Sequence, residues 1–356
     1  MACRYVGIDL HRRRSVIVRQ TPDGQVVDTV RIDNDPVALS CAIAEAGPDP
    51  EVVIEATYGW YWAVDVLEAC GANVHLAHPL GVKAFAYRRV KNDVRDAKDL
   101  ADLLRMGRLP EAWIAPGYLR QLRELVRYRA KLVALRSGLK AQVHAVLAKE
   151  GVAVPMSDLF GKQGMTLLAD TRLGTCYRMR VDSPLELIDA FDGEVAFLTD
   201  AIAVRLWHHP GYHAIQAIPG VGATFAAVFT VEIGDITRFT RPAQLCSWAG
   251  LTAKHHESDD TVVRGYVTKQ GSRLVRWAAV EAVQRVPAHT PLGQIRDDVA
   301  ARRGRNIGKV AATRRLLTLV CRHGPGCRRD GSRRRQRWGV WRCALGRWWP
   351  DECGRR

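Results

Sequence analysis

The sequence has no apolar run approaching the ~18 residues a membrane-spanning helix needs, which excludes an integral membrane protein of the helical kind. It also lacks any C-x-x-C pair. Its nine cysteines are scattered at Cys3, Cys41, Cys70, Cys176, Cys246, Cys321, Cys327, Cys343 and Cys353, which argues against a zinc or disulfide framework and for reduced thiols. No secretory leader opens the chain, since Arg4 is followed at once by a strand pattern containing Asp9. The expectation is a cytoplasmic protein. Acidic residues are in deficit as well: 53 lysines and arginines stand against 37 aspartates and glutamates, a net charge of +16. Such an excess favours polyanionic partners, because neutralising phosphates releases their condensed counterions.

What is present divides into four stretches. In the first, residues 1–112, short apolar runs alternate with turns. Tyr5–Leu10, Ser15–Val18 and Val26–Ile32 read as three strands, with Thr21-Pro22-Asp23-Gly24 as a hairpin turn. An Ala-rich helix (Pro36 to Ala46), a buried strand (Val52 to Glu55), a helix (Trp60 to Cys70), a strand (Asn73 to Leu76) and a helix (Asp93 to Met106) follow. This order predicts an α/β domain with a mixed sheet, antiparallel first and parallel later. Residues 113–211 read as a helical connector. Leucines and valines from Leu119 to Val146 keep three-four spacing over about 30 residues. A second helix is expected to start with Ser183 as N-cap, Pro184 at its first position and Glu186 closing a capping box. The two helices predict either an antiparallel hairpin or a coiled-coil dimer. Residues 212–320 are helix-rich. Residues 321–356 hold eleven arginines, four tryptophans and only three acids, with no helical or strand period. That tail reads either as a disordered, frameshifted end, leaving an inactive copy, or as a basic aromatic arm for nucleic acid.

Four acids stand out. Asp9 closes the first strand and Glu55 the fourth, and side chains at neighbouring strand ends converge on a crevice in α/β sheets. Asp93 and Asp96 lie three apart at a helix start and share a face. Acids brought together in this way call for hard divalent cations, and two such ions form a clamp for phosphoryl transfer. Each acid also has a plainer reading: Asp93 and Asp96 suit the first turn of any helix, like Asp99 and Asp102 after them. In the third stretch, Ile218-Pro219-Gly220-Val221-Gly222 predicts a helix-hairpin-helix turn in which Gly220 and Gly222 present amides to a phosphate. A polar loop from Ala249 to Asp260 carries Ser258, followed by Arg264, Lys269, Arg273 and Arg276. Arg264, Lys269 and Arg273 are candidate phosphate contacts.

Together these blocks resemble the insertion-sequence-110 family of DEDD transposases, also described as bridge-RNA-guided recombinases. Gly7-Ile8-Asp9-Leu10-His11, Ile54-Glu55-Ala56-Thr57 and Lys91-Asn92-Asp93-Val94-Arg95-Asp96-Ala97 are similar to the blocks of the family's RuvC-like, RNase H-like domain. Ile218–Gly222, Trp248-Ala249-Gly250-Leu251-Thr252 and Thr268-Lys269-Gln270-Gly271-Ser272 are similar to its second domain. The resemblance implies Asp9, Glu55, Asp93 and Asp96 as a magnesium-binding tetrad, with two ions, and Ser258 as a nucleophile that joins DNA covalently. It also implies a homo-oligomer, a non-coding guide RNA and DNA as partners. Ala253 replaces a frequent family proline, and Asp259 a glycine, beside that serine. Two other functions fit the residues: a metal-dependent junction nuclease using water as nucleophile, and a non-catalytic nucleic-acid binder.

Overall fold

A computed structural model describes residues 5–85, 92–259 and 261–323, without the side chains of Val262 and Arg264. The tail expectation falls on residues 324–356, outside the described residues. The chain forms two compact units, residues 1–120 and 121–356.

Unit 1 is built on a mixed six-stranded sheet. Its elements are β1 (Tyr5–Leu10), β2 (Arg14–Gln20), β3 (Val26–Asp33), α1 (Pro36–Ala44), β4 (Glu51–Glu55), α2 (Trp60–Ala69), β5 (Asn73–Ala77), α3 (Pro79–Val82), α4 (Asp93–Arg105), β6 (Glu111–Ala112) and the first turn of α5 (Gly117–Lys149). The strand order is β3-β2-β1-β4-β5-β6. β1, β2 and β3 pair antiparallel, β4 lies parallel to β1 and β5 parallel to β4, and β6 returns antiparallel. The anticipated sequence of strands and helices is therefore observed, with the short α3 and β6 added.

The period of two along each strand sorts the side chains onto two faces. Val6, Ile8, Ile17, Val52, Ile54 and Leu76 pack with Leu39, Ile43, Val64 and Leu67 of α1 and α2. On the opposite face, Val16 and Val18 meet Ala97, while Val53 and Ala77 meet Leu100 of α4. The β1 and β4 runs are almost continuously apolar because both faces are covered, as parallel strands require. The start of α5 is fastened to α2 by Arg120, which is buried, donates to the Tyr61 carbonyl at 3.0 Å, pairs with Asp65 and lies over the Trp60 and Tyr61 rings.

Unit 2 opens with a pair of long helices, α5 and α7 (Thr175–Leu206), joined through α6 (Lys162–Asp170). Arg129 Nε donates to Thr199 at 2.7 Å, whereas Arg136, two turns later, pairs with Asp192. One index rises as the other falls, so the helices are antiparallel. Leu132, Val195 and Leu198 form their seam, and Val143, Leu147 and Val181 continue it toward Leu159 and Leu168. Of the two arrangements the pattern permitted, the chain adopts the hairpin.

The expected start of the second helix at Ser183 is corrected. α7 begins at Thr175 and Pro184 lies within it. Proline lacks the amide for a bond to the carbonyl four residues back and so is unfavourable in a helix interior. The preceding turns are held by burial of Val181 against the α5 seam and by Arg178, whose guanidinium donates to the carbonyls of Leu168 (3.0 Å) and Thr171 (2.5 Å). Tertiary packing overrides the local cap signal.

The rest of unit 2 comprises α8 (Pro210–Gln216), α9 (Ala223–Ile233), α10 (Pro242–Trp248), β7 (Ala253–Ser258), β8 (Thr261–Val267), α11 (Arg273–Gln284), α12 (Pro291–Arg303) and α13 (Arg305–His323). α9 is apolar all round and buried from Phe225 to Ile233, as befits a central helix. Its final carbonyls, Val231 and Glu232, accept bonds from Arg123 at 3.0 and 2.9 Å, and the buried Glu232 carboxylate accepts two from Arg127 at 2.7 and 3.1 Å. Cations at a helix C-terminus complement both the orphan carbonyls and the dipole. α13 carries the chain to His323 and buries Cys321, so residues 321–323, expected as the start of the tail, continue the helix.

His209 is the N-cap of α8, its Nδ1 accepting from the Tyr212 amide at 3.3 Å. Burial holds its imidazole below the ordinary value, with the nearby His213 adding to the effect. A base depressed in the folded state binds its proton more readily once unfolded. The stabilisation is therefore present above the ordinary histidine value of 6.5 and is lost as pH falls through it. Thermal unfolding should thus reach its midpoint a few degrees lower at about pH 5.5 than at about pH 7.5. His209→Asn, which caps without titrating, should shrink that difference; an unchanged difference would count against this origin.

Candidate functional site

The acids of unit 1 gather where β1, β4 and α4 meet. Ile8 pairs with Ile54 in the parallel β1–β4 ladder, so Asp9 and Glu55 each stand one residue past the last paired position, on adjacent strands. Alternation puts Asp9 on the face of Gly7 and Glu55 on the face of Val53, the side covered by α4. α4 starts at an Asn92 N-cap whose Oδ1 accepts from the Val94 amide at 3.0 Å. Asp93 and Asp96 occupy its first turn, where the helix dipole favours negative charge.

Gly7 sets the approach of α4. A Cβ at this position would come to 1.9 Å from the carbonyl oxygen of Ala97 and 3.0 Å from the Ala101 nitrogen. Only a glycine lets the helix backbone lie directly on β1. Ala97 and Ala101, both fully buried, keep the other side of the contact small. The Gly7-Ile8-Asp9 motif therefore has two linked parts. The glycine seats the helix, and the aspartate two residues later meets that helix's first turn.

The contact yields a cluster of three. His11 Nε2 lies 3.1 Å from Asp9 Oδ2 and 3.4 Å from Asp93 Oδ1. Asp9 is buried, while His11 and Asp93 are about one-third exposed. Among the described residues, the groups whose ligand atoms all come within 4.8 Å of one another are those of Asp9, His11 and Asp93. Glu55, one position past the β1–β4 ladder, and Asp96, in the first turn of α4, do not enter this cluster. His11 was not among the residues singled out from the sequence. The signal for it was available, because it stands two positions beyond Asp9 and continues the same face of the strand. Two carboxylates and an imidazole are a donor set suited to a divalent ion, and the shielded Nε2 lies where a cation between the acids would be favoured.

In unit 2, Ser258 ends β7 and pairs with Thr261 across a turn in which Asp259 adopts a left-handed conformation (φ 52°). The segment expected as a polar loop is a two-stranded hairpin, with exposed residues along β7 from Lys254 to Ser258. Its foot joins the two blocks noted in the sequence. Gly250 (φ 72°) and Gly271 (φ 119°) interlock so closely that a Cβ on Gly271 would meet the Trp248 carbonyl at 1.8 Å. The Lys269 amide donates to the Gly250 carbonyl at 3.0 Å, the Thr268 amide to Thr252 at 2.8 Å, and Arg276 to the Ala249 carbonyl at 2.9 Å. Lys269 holds a left-handed backbone (φ 55°), and both it and Arg273 are exposed. Burial lowers the Arg276 guanidinium from its ordinary value, and the Arg273 charge adds to this. The Arg264 side chain lies outside those described.

The Ile218–Gly222 turn joins α8 to α9. Gly220 (φ 86°) is required by packing, since a Cβ would meet the Ala282 carbonyl of α11 at 2.5 Å. Gly222 is exposed at the N-cap of α9.

Two family models match the chain: one for DEDD transposases of the IS110 type over residues 6–150, and one described as the transposase IS116/IS110/IS902 family over residues 212–297. The chain belongs to this family of transposases, whose members cut and rejoin DNA. It is similar to a Sinorhizobium fredii protein named "Putative transposase y4qE", with 28% identity over 283 residues, 78% of this chain and 70% of the relative. It is also similar to the Streptomyces coelicolor "Insertion element IS110 uncharacterized 43.6 kDa protein", at 34% identity over 70 residues, 20% of this chain and 17% of that relative. No helix among the described residues is long and apolar enough to cross a membrane.

Gly7→Val should separate α4 from β1. The expected result is a loss of about 1–3 kcal/mol in denaturant-measured stability, accompanied by loss of DNA cleavage as Asp93 leaves Asp9. Native stability with full cleavage would show that the close approach is dispensable.

Proposed function

We propose that this transposase cleaves and rejoins DNA through the acids Asp9, Glu55, Asp93 and Asp96, with Ser258 as nucleophile. The observation that carries the reading is the convergence of Asp9 and Asp93 on a shared position; Glu55 follows the last paired position of the adjacent strand and Asp96 lies in the first turn of α4. The strand order β3-β2-β1-β4-β5, antiparallel then parallel, supports an RNase H-like, RuvC-like classification of unit 1. Residues 113–211 then serve as the connector, and residues 212–320 as the serine-bearing module.

Magnesium suits the oxygen-rich donor set. Asp9, Asp93, Glu55 and Asp96 are the residues that would hold one or two ions, which when bound neutralise charge on a phosphodiester. The chain's own contributions are separate from this. α4 and the β1–β4 ends fix the acids before substrate arrives, so little reorganisation is needed at the reacting phosphate. Ser258 Oγ forms a bond to phosphorus while a phosphorus–oxygen bond of the DNA backbone breaks. The serine proton is lost and the departing sugar oxygen is protonated. Rejoining reverses these changes, with a DNA hydroxyl displacing the serine. The hairpin foot, interlocked at Gly250 and Gly271, gives the serine a rigid mount. Gly220, Gly222, Arg264, Lys269 and Arg273 remain the proposed nucleic-acid contacts of this module. A guide RNA and a homo-oligomer belong to the same proposal, on the strength of the family resemblance.

Two variants test it. Asp9→Asn should abolish strand cleavage, with a rate loss of about 100-fold or more, while leaving DNA binding intact. Ser258→Ala should eliminate the covalent protein–DNA adduct on denaturing gels. Cleavage that persists in Ser258→Ala would mean hydrolysis by water, and unaltered activity in Asp9→Asn would end the catalytic reading.

A further inference from the structure

The turn between β1 and β2 carries three consecutive arginines, Arg12, Arg13 and Arg14, all exposed. With His11 and Asp93 they line one open cleft, so three cations share a cleft with two members of the cluster described above. Three other arginines of unit 1 are engaged by acids. Arg19 pairs with Asp28 and Glu45, Arg105 with Asp102, and Arg120 with Asp65. Arg12, Arg13 and Arg14 make no ion pair or side-chain hydrogen bond among the described residues.

The turn itself is held in place. Asn34, just past β3, donates through Nδ2 to the His11 carbonyl at 2.6 Å and through its amide to the Arg13 carbonyl at 2.9 Å. Its Oδ1 accepts from Ser15 Oγ at 2.7 Å, and the His11 amide closes onto Arg14 at 3.2 Å. Three unpaired guanidinium groups on a pinned turn repel one another, and a polyanion relieves that repulsion. An acid cluster on its own repels a phosphate chain, so the arginines supply attraction that the carboxylates cannot. Guanidinium groups match phosphate oxygens in paired hydrogen bonds.

We propose that Arg12, Arg13 and Arg14 form a phosphate-gripping rim that holds the DNA backbone against the Asp9–Asp93 acids. This rests on the reading of those acids as the cleavage site. The three are positioning residues, acting on phosphates that flank the reacting one and carrying no sequence information.

The test uses the full chain and a duplex DNA probe of arbitrary sequence, with a single-stranded RNA of equal length as a second arm. Replacing all three arginines by alanine should make the dependence of log affinity on log salt shallower by about 0.9 per contact, hence about 2–3 in all. Replacement by lysine should largely restore the slope. Thermal melting should stay unchanged because the side chains are exposed; if the alanine variant unfolds, a triple glutamine variant takes its place. A wild-type salt slope on DNA overturns the proposal, as does a loss confined to the RNA arm. Asp9→Asn in the same assay separates the two ideas: it should leave the slope in place and remove cleavage. If cleavage survives in it, the site reading fails, whatever the arginine variants do.

Discussion

The acid-bearing end of unit 1 depends on a helix lying against a strand with nothing but hydrogen atoms between them. At Gly7 the carbonyl of Ala97 occupies the place a side chain would take. Protein interiors are packed too densely to absorb such an intrusion without moving a backbone. The position of α4 therefore follows from one missing Cβ. From it follows the meeting of Asp93 with Asp9 and His11, since the first turn of α4 sits a fixed distance from the contact. The sheet supplies the other half of the geometry. Parallel pairing of β1 with β4 brings Asp9 and Glu55 to the same edge, and the covered faces of both strands hold that edge rigid.

Unit 2 uses the same device for another purpose. Gly250 and Gly271 let two backbone segments interlock at the foot of the β7–β8 hairpin, and Gly220 lets the α8–α9 turn press against α11. A two-stranded hairpin exposed to solvent is marginal alone. Here its base is fastened by backbone hydrogen bonds from Thr268 and Lys269 and by Arg276 reaching the Ala249 carbonyl. The ends of α9 are secured by arginines: Arg123 caps the last carbonyls and Arg127 satisfies the buried Glu232 carboxylate. Leaving that carboxylate unpaired would be costly, which ties the long helix α5 to the central helix of the unit.

The strands and helices of unit 1 were legible because each carries a local signal: short apolar runs bounded by turn residues at Ser15–Val18 and Val52–Ile54, and a helical pattern from Asp93 to Met106. The acids at strand ends were legible for the same reason, since a charge closing an apolar run is conspicuous. His11 was passed over because its one local cue, a place two positions beyond Asp9, does not by itself mark a ligand. Its importance arises from the distances to Asp9 and Asp93, which belong to different segments. The start of α7 was misjudged because Ser183, Pro184 and Glu186 make a sound cap in isolation, and burial of Val181 against α5 outweighs it. The hairpin bearing Ser258 escaped notice because the β7 stretch from Lys254 to Ser258 is polar throughout and carries no apolar alternation.

By itself the sequence determined the strand and helix order of the first unit, the basic character of the chain as a whole, the four acids and the family to which the chain belongs. These are local or compositional properties, written in neighbouring residues. The tertiary structure decided which acids meet, that a histidine stands between two of them, that the long helices fold back as an antiparallel pair, and that three arginines share a cleft with His11 and Asp93. Those outcomes depend on segments far apart in the chain. Their separation in space is set by close packing, which one sequence does not display until the chain has folded.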